Sequence, residues 1–373
     1  MRAAERDMRV EGAKRALILE ELKAEILAGK YPSSSAFPSE IALSRRYKVS
    51  RGTIAFVVDE LKREGLVSRR RGSGTFVTPA ALSRKIGIMV SGIAYAELFP
   101  PVVGEITRLA EDEGYAVVLG DTGVRRPEKM AARARRFAVK LVEQGVSGVI
   151  FQPLEFVEDS ERLNRELVSI FDAANVAVVL FDYDFGSPAS HGGYDVVGIN
   201  NYDAGFRLGA HLVERKARKV SFLLRPYSAV SQMNRMRGAT VSVESRGGRV
   251  RTLFAQPEDL PTIRRHVRRE RPDAILCGDD RYAARLMQTL AKLGLRVPDD
   301  ILLAGFDDVQ IASLTMPGLT TIHQPCEDIA REAFRTLLDR IADRTRPVRE
   351  VSLPAPLVER DSTNRRWRTG ASA

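Results

Sequence analysis

The apolar run Val176-Ala177-Val178-Val179-Leu180-Phe181, followed at once by Asp182, decides the fold class of this chain. A continuous apolar run of this length is typical of a strand that is buried on both faces of a parallel sheet. No longer apolar run occurs, and a membrane span would need about 20 such residues. The run therefore predicts an α/β domain, and the sequence predicts no membrane segment.

Similar runs alternate with helical patterns on both sides of this strand. The predicted strands lie at 85–90, 115–119, 149–151, 220–224, 274–277 and 301–306. A second half of the alternation begins near Val196, which predicts two subdomains of parallel strands flanked by helices. Open sheets of this kind bind ligands beyond the carboxyl ends of their strands, so we expect a ligand cleft there.

Acidic residues follow several of these strands. Asp182 comes after the first run, Asp279-Asp280 after Cys277-Gly278, and Asp307-Asp308 after Gly305-Phe306. Such carboxylates could accept hydrogen bonds from a polyhydroxylated ligand and, with Arg235, grip an amino or carboxylate group. They could instead cap the following helices, or serve a Mg²⁺-dependent enzyme. Nucleotide chemistry has little support, because no glycine-rich phosphate loop ending in Lys-Ser or Lys-Thr occurs.

The first 80 residues have a different pattern. An amphipathic helix over 16–27 is followed by two helix starts, at Ser39 and at Ser50. Two short strands within 66–77 then flank a basic turn at 69–74. This order predicts a helix-turn-helix whose second helix enters the major groove of DNA, followed by a hairpin, or wing, that reaches phosphates or the minor groove.

Charge is concentrated in the same region. Of 58 basic and 48 acidic residues, 18 and 10 lie within 1–85, a net charge of +8, which leaves +2 for the remaining residues. Such asymmetry favours a module that binds a polyanion, most simply nucleic acid, although a solvated basic face is the alternative.

Four blocks in this region resemble the GntR-family winged helix-turn-helix over residues 14–78. The blocks are Phe37-Pro38-Ser39-Glu40, Val49-Ser50-Arg51-Gly52-Thr53-Ile54, Leu61-Lys62-Arg63-Glu64-Gly65-Leu66-Val67 and Arg71-Gly72-Ser73-Gly74-Thr75-Phe76-Val77. The resemblance implies that Arg51 and Thr53 meet DNA from a recognition helix starting at Ser50, with Arg71 and Gly72 in the wing. The predicted DNA-binding residues are Ser39, Arg45, Arg46, Ser50, Arg51, Gly52, Thr53, Arg69, Arg70, Arg71, Gly72 and Ser73.

Two arginines of that family are missing. This chain has Ile41 after the Pro-Ser-Glu block and Ala55 two residues after Thr53. Because an alkyl group cannot read guanine as a guanidinium does, we expect an operator that differs from the family's usual one. Arg45 and Arg46 could supply compensating phosphate contacts, or they could form a solvated helix face.

Residues 86–363 resemble the effector domain of the LacI/GalR repressors, which has the periplasmic sugar-binding-protein fold of type I. The matching blocks include Asn200-Asn201-Tyr202-Asp203-Ala204-Gly205, Arg235-Met236-Arg237-Gly238, Gly305-Phe306-Asp307-Asp308 and Leu319-Thr320-Thr321-Ile322-His323-Gln324-Pro325. The resemblance implies a ligand held by Arg235 and Asp280. The full predicted ligand-binding set is Tyr95, Phe99, Asp182, Tyr183, Ser231, Arg235, Asp280, Asp307 and Gln324.

The predicted organisation is an extension (1–13), the DNA-binding domain (14–78), a linker (79–85), the two-subdomain effector domain (86–363) and a flexible tail (364–373). Crossovers between the subdomains are expected near 193–198, 322–326 and 342–348. The headpiece and hinge helix of the LacI family are absent, and the GntR-type module replaces them. This joining resembles that of arabinose-responsive repressors.

Metal and cofactor sites are not predicted. The four histidines are not spaced as metal ligands, and neither of the two cysteines has a Cys-x-x-Cys partner. Few cysteines and a charged N-terminal stretch without an apolar segment predict a protein of the cytoplasm.

The sequence thus predicts a ligand-responsive transcriptional regulator, a repressor rather than an enzyme. We expect a homodimer on a palindromic duplex operator, because two recognition helices must reach half-sites about one DNA turn apart. We expect the effector to be a sugar or a related small metabolite. The alternative is a cytoplasmic sugar-binding module or a cleft enzyme in which the basic head is secondary.

Overall fold

The computed structural model describes residues 2–27, 30–31, 36–70, 74–78, 84–93, 97–123, 129–186 and 193–365. The chain divides into two compact units. The first comprises residues 1–85 with 114–116, and the second comprises residues 86–113 with 117–373. We call the first 78 residues the head, and the part of the chain from Arg84 onward, which includes the short 114–116 segment, the effector unit. Most of the predicted linker and of the predicted tail lies outside the described residues.

Three helices and a hairpin form the described part of the head. They are α1 (Arg2–Leu27), α2 (Glu40–Tyr47), α3 (Arg51–Arg63), β1 (Val67–Arg70) and β2 (Gly74–Val77), with the two strands antiparallel. Leu22, Leu43, Ile54 and Leu61 are almost fully buried and form its core. Residues 2–13 of the predicted N-terminal extension are helical and continue into α1, because no proline interrupts the helical pattern.

Serine side chains begin the second and third helices, as the sequence predicts. The Ser39 hydroxyl accepts a hydrogen bond from the backbone N–H of Ala42 at 3.2 Å, and that of Ser50 accepts one from Thr53 at 3.1 Å. Each serine satisfies one of the helix-terminal N–H groups that have no partner within the helix. Lys48, in the left-handed conformation at φ 52°, ends α2 and makes the tight turn to α3.

The effector unit alternates strands and helices. Its strands are β3 (Arg84–Val90), β4 (Tyr115–Asp121), β5 (Gly148–Phe151), β6 (Ala177–Phe181), β7 (Asp195–Ile199), β8 (Lys219–Leu224), β9 (Arg249–Phe254), β10 (Ala274–Cys277), β11 (Leu302–Ala304), β12 (Thr321–Ile322), β13 (Glu350–Leu353) and β14 (Leu357–Val358). Its helices are α4 (Phe99–Asp112), α5 (Met130–Glu143), α6 (Ser160–Ala173), α7 (Asn201–Glu214), α8 (Val230–Glu244), α9 (Leu260–Glu270), α10 (Asp280–Lys292), α11 (Gln310–Leu314) and α12 (Cys326–Ala342), with a 3-10 helix at Asp361–Thr363.

Two open sheets define the two subdomains. The first sheet has the strand order β13-β7-β6-β5-β3-β4, and the second has the order β11-β10-β8-β9. The paired strands of the second sheet are parallel, as are the pairs from β13 to β3 in the first. Each sheet has its own buried apolar cluster under the covering helices. The predicted α/β fold class, with a helix-turn-helix head, is confirmed.

Within the residues that the structure describes, the chain passes between the subdomains at three places. The structure has the second crossing near the predicted 322–326, but the first follows β7 and the third follows β13. The predicted crossings at 193–198 and 342–348 are therefore too early, because β7 and β13 pair with each other in the first sheet. Within the described part of the chain, no helix has the length and apolar character that a membrane crossing requires.

Candidate functional site

The first turn of α3 presents the predicted recognition residues in two directions. Arg51 and Gly52 are exposed, and Arg51 makes no ion pair with the described part of the chain. Thr53 points the other way: it is only 2% exposed, and its hydroxyl lies 2.8 Å from that of Ser50. The expectation that Thr53 meets DNA therefore does not fit the structure, which makes it a partner of the helix cap.

The two arginines of α2 also differ. Arg45 is exposed, whereas Arg46 forms ion pairs with Glu21 and Glu25 of α1 and also contacts Tyr31. The Arg46 guanidinium lowers the pKa of Glu25 to about 2. Arg46 therefore fastens α2 to α1, and Arg45 is the one of the two that is available for a phosphate contact.

The remaining predicted DNA-binding residues lie around these helices. Ser39 and Ser50 are exposed but use their hydroxyl oxygens as caps. Arg69 is exposed on β1, while the side chain of Arg70 and residues 71–73 lie outside the described residues. At the positions of the missing family arginines, Ile41 is 47% exposed and Ala55 is half-buried.

A cavity of about 590 Å³ lies between the two subdomains of the effector unit. This volume falls within the range of ordinary small-molecule sites. Both subdomains contribute polar or charged side chains to its wall, namely Ser91, Glu97, Gln152, Glu155, Asp182, Arg225, Ser231, Gln232, Arg235, Gln256, Asp279, Arg281, Arg285, Asp307 and Gln324. Phe99, Phe156, Tyr227 and Tyr282 add aromatic surface.

Five of these side chains form a connected network together with Asn201, which does not line the cavity. We call the six residues the inner cluster: Asp182, Asn201, Ser231, Arg235, Asp307 and Gln324. Arg235 is 3% exposed, and it donates from Nε to Asn201 at 2.7 Å and from Nη1 to Asp307 at 3.1 Å. Gln324 donates to the same Asp307 oxygen at 2.7 Å. Asp182 accepts hydrogen bonds from Asn201 and Ser231.

Burial controls the charge of this cluster. It raises the pKa of Asp307 to about 6, against the opposing effect of Arg235, and it raises the pKa of Asp182 as well. Both residues have left-handed backbone at strand ends: Asp307, at φ 108°, lies three residues after β11, and Asp182, at φ 76°, directly follows β6. Strained backbone of this kind is concentrated at binding sites, and here it aims two carboxyl groups into the cavity.

A second group surrounds Arg225. The guanidinium carbon of Arg225 lies 3.8 Å from the ring centre of Phe156 and 4.8 Å from that of Tyr282. The Arg225 guanidinium also forms an ion pair with Asp279. Asp279 also caps α10 through the N–H of Tyr282 at 2.8 Å. The backbone N–H of Phe156 donates to the carbonyl of Tyr227 at 2.9 Å, which joins the two subdomains beside the cavity.

Glu155 is an acid that the sequence analysis missed. Burial is the main cause that raises its pKa to about 8, and the neighbouring charges of Asp182 and Asp279 add to this effect. At neutral pH its carboxyl group is therefore protonated and can donate a hydrogen bond to a ligand.

The predicted ligand-binding residues are only partly brought together. Phe99, Asp182, Ser231, Arg235, Asp307 and Gln324 line the cavity. Asp280 does not: it is completely buried, and it accepts hydrogen bonds from Thr321 Oγ1 at 2.7 Å and from the Val309 N–H at 3.2 Å. Tyr183 lies in the core of the first subdomain with its hydroxyl facing the carbonyls of 153 and 154, and Tyr95 lies outside the described residues.

Arg225, Glu155, Phe156 and Gln232 are among the cavity residues that sequence reasoning missed, and Asp279 was named there only as a strand-end carboxylate. Most of them lie in loops after strands, where no periodic pattern marks them, and Phe156 has left-handed backbone at φ 58°. Asp279 carried a signal, since the pair Asp279-Asp280 follows a strand, but the sequence does not show which carboxylate faces the cavity. No cluster of potential metal ligands occurs in the part of the chain that the structure describes.

Comparison with known families separates the same two parts. A model of bacterial regulatory proteins of the gntR family matches residues 14–77. The head is a gntR-family domain. A model of the periplasmic binding protein-like domain matches residues 210–363, so the gntR-family head is joined to an effector domain of that kind. The predicted resemblance is confirmed for both parts, and the chain is a DNA-binding regulatory protein.

Individual proteins are similar over most of the chain. The HTH-type transcriptional repressor PurR of Escherichia coli O1:K1 is 25% identical over 284 residues, which cover 74% of this chain and 79% of PurR. The complex of the transcriptional regulator CelR with cellobiose has a TM-score of 0.64 at 23% identity, covering 87% of this chain and 100% of CelR.

A third similar protein is a periplasmic binding protein/LacI transcriptional regulator from Alkaliphilus metalliredigens QYMF, complexed with D-xylulofuranose. Its TM-score is 0.62 at 23% identity, and the match covers 75% of this chain and 99% of that protein. At this level of identity, the two structural matches show the shared fold.

Proposed function

We propose that this chain is a transcriptional repressor whose affinity for its operator is controlled by a sugar or a related small polyol bound in the cavity. The observation that carries the proposal is that both subdomains contribute polar and charged side chains to one cavity in a chain with a gntR-family head. PurR is a repressor, and CelR and the Alkaliphilus regulator are complexed with carbohydrates, which supports the same reading.

A ligand in this cavity would contact both subdomains at once. Asp182 belongs to the first subdomain, while Arg235 and Asp307 belong to the second. A ligand that bridges them stabilises the closed arrangement over an open one and so shifts the population between the two. If only one arrangement suits operator binding, the ligand changes the affinity for DNA by the same coupling free energy.

The DNA-binding form that we propose is a cytoplasmic homodimer on a palindromic operator. One head offers one exposed recognition turn at Arg51 and Gly52, and two such turns are needed for two half-sites. We propose, in addition, that six residues of the head lie at the DNA: Ser39, Arg45, Ser50, Arg51, Gly52 and Arg69. We also propose that the cavity binds its ligand without catalysing a reaction of it.

The test has two parts, both on the full chain. A duplex selected from random sequence should bind with an affinity that falls steeply with salt, and the bound protein should have the mass of a dimer. A thermal-shift screen of pentoses, hexoses, polyols and nucleosides should find a compound that raises Tm and changes the affinity for that duplex. If no duplex can be selected, the proposal that the chain is a DNA-binding regulator is contradicted. If a compound raises Tm but does not change the affinity for the duplex, the chain binds a small molecule without regulating DNA binding through it.

A further inference from the structure

Three arginines on one side of the cavity wall form what we call the arginine cluster: Arg225, Arg281 and Arg285. Arg281 and Arg285 are four residues apart on α10 and therefore lie on the same face of that helix. Arg285 forms an ion pair with Glu258 at 3.1 Å. Arg281 has no ion pair or side-chain hydrogen bond with any residue that the structure describes, although it lines the cavity.

Arg225 is held in one orientation by the two rings that enclose it, Phe156 and Tyr282. Its Nε is buried and has no acceptor within the described residues. Its carboxylate partner Asp279 already accepts hydrogen bonds from the N–H of Tyr282 at 2.8 Å and from Gln232 at 3.5 Å. The guanidinium is therefore fixed in place, and the one carboxylate that faces it is shared among three donors.

The charges of the cavity are separated into two regions. In the inner cluster, Arg235 faces two carboxyl groups, those of Asp182 and Asp307. In the arginine cluster, Asp279 pairs with Arg225 and Glu258 pairs with Arg285, whereas Arg281 has no carboxylate partner among the described residues. The raised pKa of Glu155, about 8, keeps that neighbouring carboxyl group uncharged at neutral pH. One end of the cavity thus suits hydroxyl groups, and the other has an excess of positive charge.

Gln232 supplies an independent sign of a missing ligand group. This residue is 6% exposed, lines the cavity and lies close to Asp279. Its side-chain oxygen is buried and has no hydrogen-bond donor within the described residues. A buried acceptor without a donor is destabilising, and a ligand hydroxyl placed beside the arginine cluster would supply that donor.

We propose that the effector is an anionic polyol, a sugar acid or a sugar phosphate, whose charged group binds Arg225 and Arg281 while its hydroxyl groups bind Gln232 and the inner cluster. The inference rests on the proposed function, since it assigns the chemical class of the ligand in that same cavity. A planar, fixed guanidinium such as Arg225 suits both carboxylate and phosphate oxygens, so the two sources share one recognition chemistry.

The experiment measures the Tm of the full chain with matched sets of compounds at constant ionic strength. Each pentose and hexose is compared with its own sugar acid and its own phosphate, and inorganic phosphate is included to detect unspecific ion binding. We expect at least one anionic compound to raise Tm more than its neutral parent does. Comparison of the sugar acids with the sugar phosphates shows whether the charged group is a carboxylate or a phosphate. A neutral sugar that raises Tm as much as its anionic forms would overturn the inference and leave the proposed function standing.

A pair of variants tests the residues. Arg281→Gln should weaken the binding of the anionic compound about tenfold and leave the binding of its neutral parent unchanged. Arg264→Gln removes the same charge from an exposed position on α9 in the same subdomain and should change neither. Equal affinity of wild type and Arg281→Gln for the anionic compound would overturn the assignment. If neither a neutral nor an anionic carbohydrate raises Tm, both the inference of an anionic effector and the proposed control by a sugar are contradicted.

Discussion

A Cβ atom on Gly205 of α7 would lie 1.9 Å from the carbonyl oxygen of Arg235 on α8. The reciprocal contact is as close, since a Cβ on Gly238 would lie 1.9 Å from the carbonyl oxygen of Tyr202. The two helix backbones therefore touch, which only glycine permits. This contact brings Asn201 of α7 within hydrogen-bond distance of the Arg235 guanidinium and so sets the position of the inner cluster.

Gly205 does not line the cavity, but Gly205→Ala should disturb the arrangement of the residues that do. We expect the forced separation of α7 and α8 to lower the free energy of unfolding by about 1–3 kcal/mol, and ligand binding to weaken because Arg235 is displaced. Chemical denaturation and ligand titration of the same preparations measure the two effects. Gly104→Ala on α4 is the control, because a Cβ there meets nothing within 4 Å and the change should be neutral or stabilising by up to about 1 kcal/mol.

Substitutions of Asp280 test whether this residue supports the structure or contacts the ligand. Asp280→Ala leaves Thr321 Oγ1 and the Val309 N–H without their acceptor and should cost about 1–3 kcal/mol of stability. Burial raises the pKa of this carboxyl group well above its usual range, so the neutral Asp280→Asn should be milder. We expect Asp280→Asn to keep its effector affinity within a few-fold of wild type. A complete loss of affinity in a stably folded Asp280→Asn protein would contradict the structural position.

Glu155 should make stability depend on pH. In the folded chain it keeps its proton up to about pH 8, whereas in the unfolded chain it ionises near 4.5. Since the unfolded state binds fewer protons between these values, stability should fall as the pH rises from about 4.5 to 8. Glu155→Gln should remove this part of the slope and be more stable than wild type at pH 7.5.

Urea unfolding of both proteins at pH 5 and pH 8 measures the difference. Asp307, with a pKa of about 6, contributes a slope of the same sign below pH 6, but it is present in both proteins and cancels in the comparison. Parallel pH profiles of wild type and Glu155→Gln would show that Glu155 ionises normally in the folded chain.

Arg51→Ala should weaken operator binding by about 1–3 kcal/mol and relax discrimination at one base position, because Arg51 is exposed in the first turn of α3. Fluorescence anisotropy with the selected duplex and its point mutants measures both effects. Arg264→Ala has the same change of charge on the effector unit and should leave both unchanged. Thr53→Ala, by contrast, should act on the stability of the head, since its hydroxyl faces Ser50.

Helix starts and buried strands were predictable from the sequence because their causes are local. Ser39 and Ser50 cap α2 and α3 as expected, and the run ending at Phe181 is β6, completely buried in the first sheet. The inward turn of Thr53 was missed, because the family resemblance placed this residue at the DNA, whereas its hydroxyl faces that of the capping Ser50. The helical length of α1 was missed because its first turns lie beyond the matching family blocks.

The cavity could be predicted only in part, because its geometry depends on contacts distant in sequence. Asp182, Arg235 and Asp307 were found from strand ends and from the family resemblance. Arg225 was not, because its position depends on Phe156, in the other subdomain, and on the aromatic ring of Tyr282. For the same reason the adjacent Asp279 and Asp280 could not be distinguished, although one faces the cavity and the other supports it.

The return of the chain to the first sheet at β13 has a consequence for synthesis. The helices and hairpin of the head lie within the first 78 residues and have their own core, so this part can fold as soon as residue 78 has left the ribosome. The first sheet cannot be completed until Glu350–Leu353 has been translated, because β13 is its edge strand and α12, just before it, covers the strands β5 to β7. A ribosome that stalls between these points would hold a finished DNA-binding head beside an effector unit that cannot yet respond to its ligand.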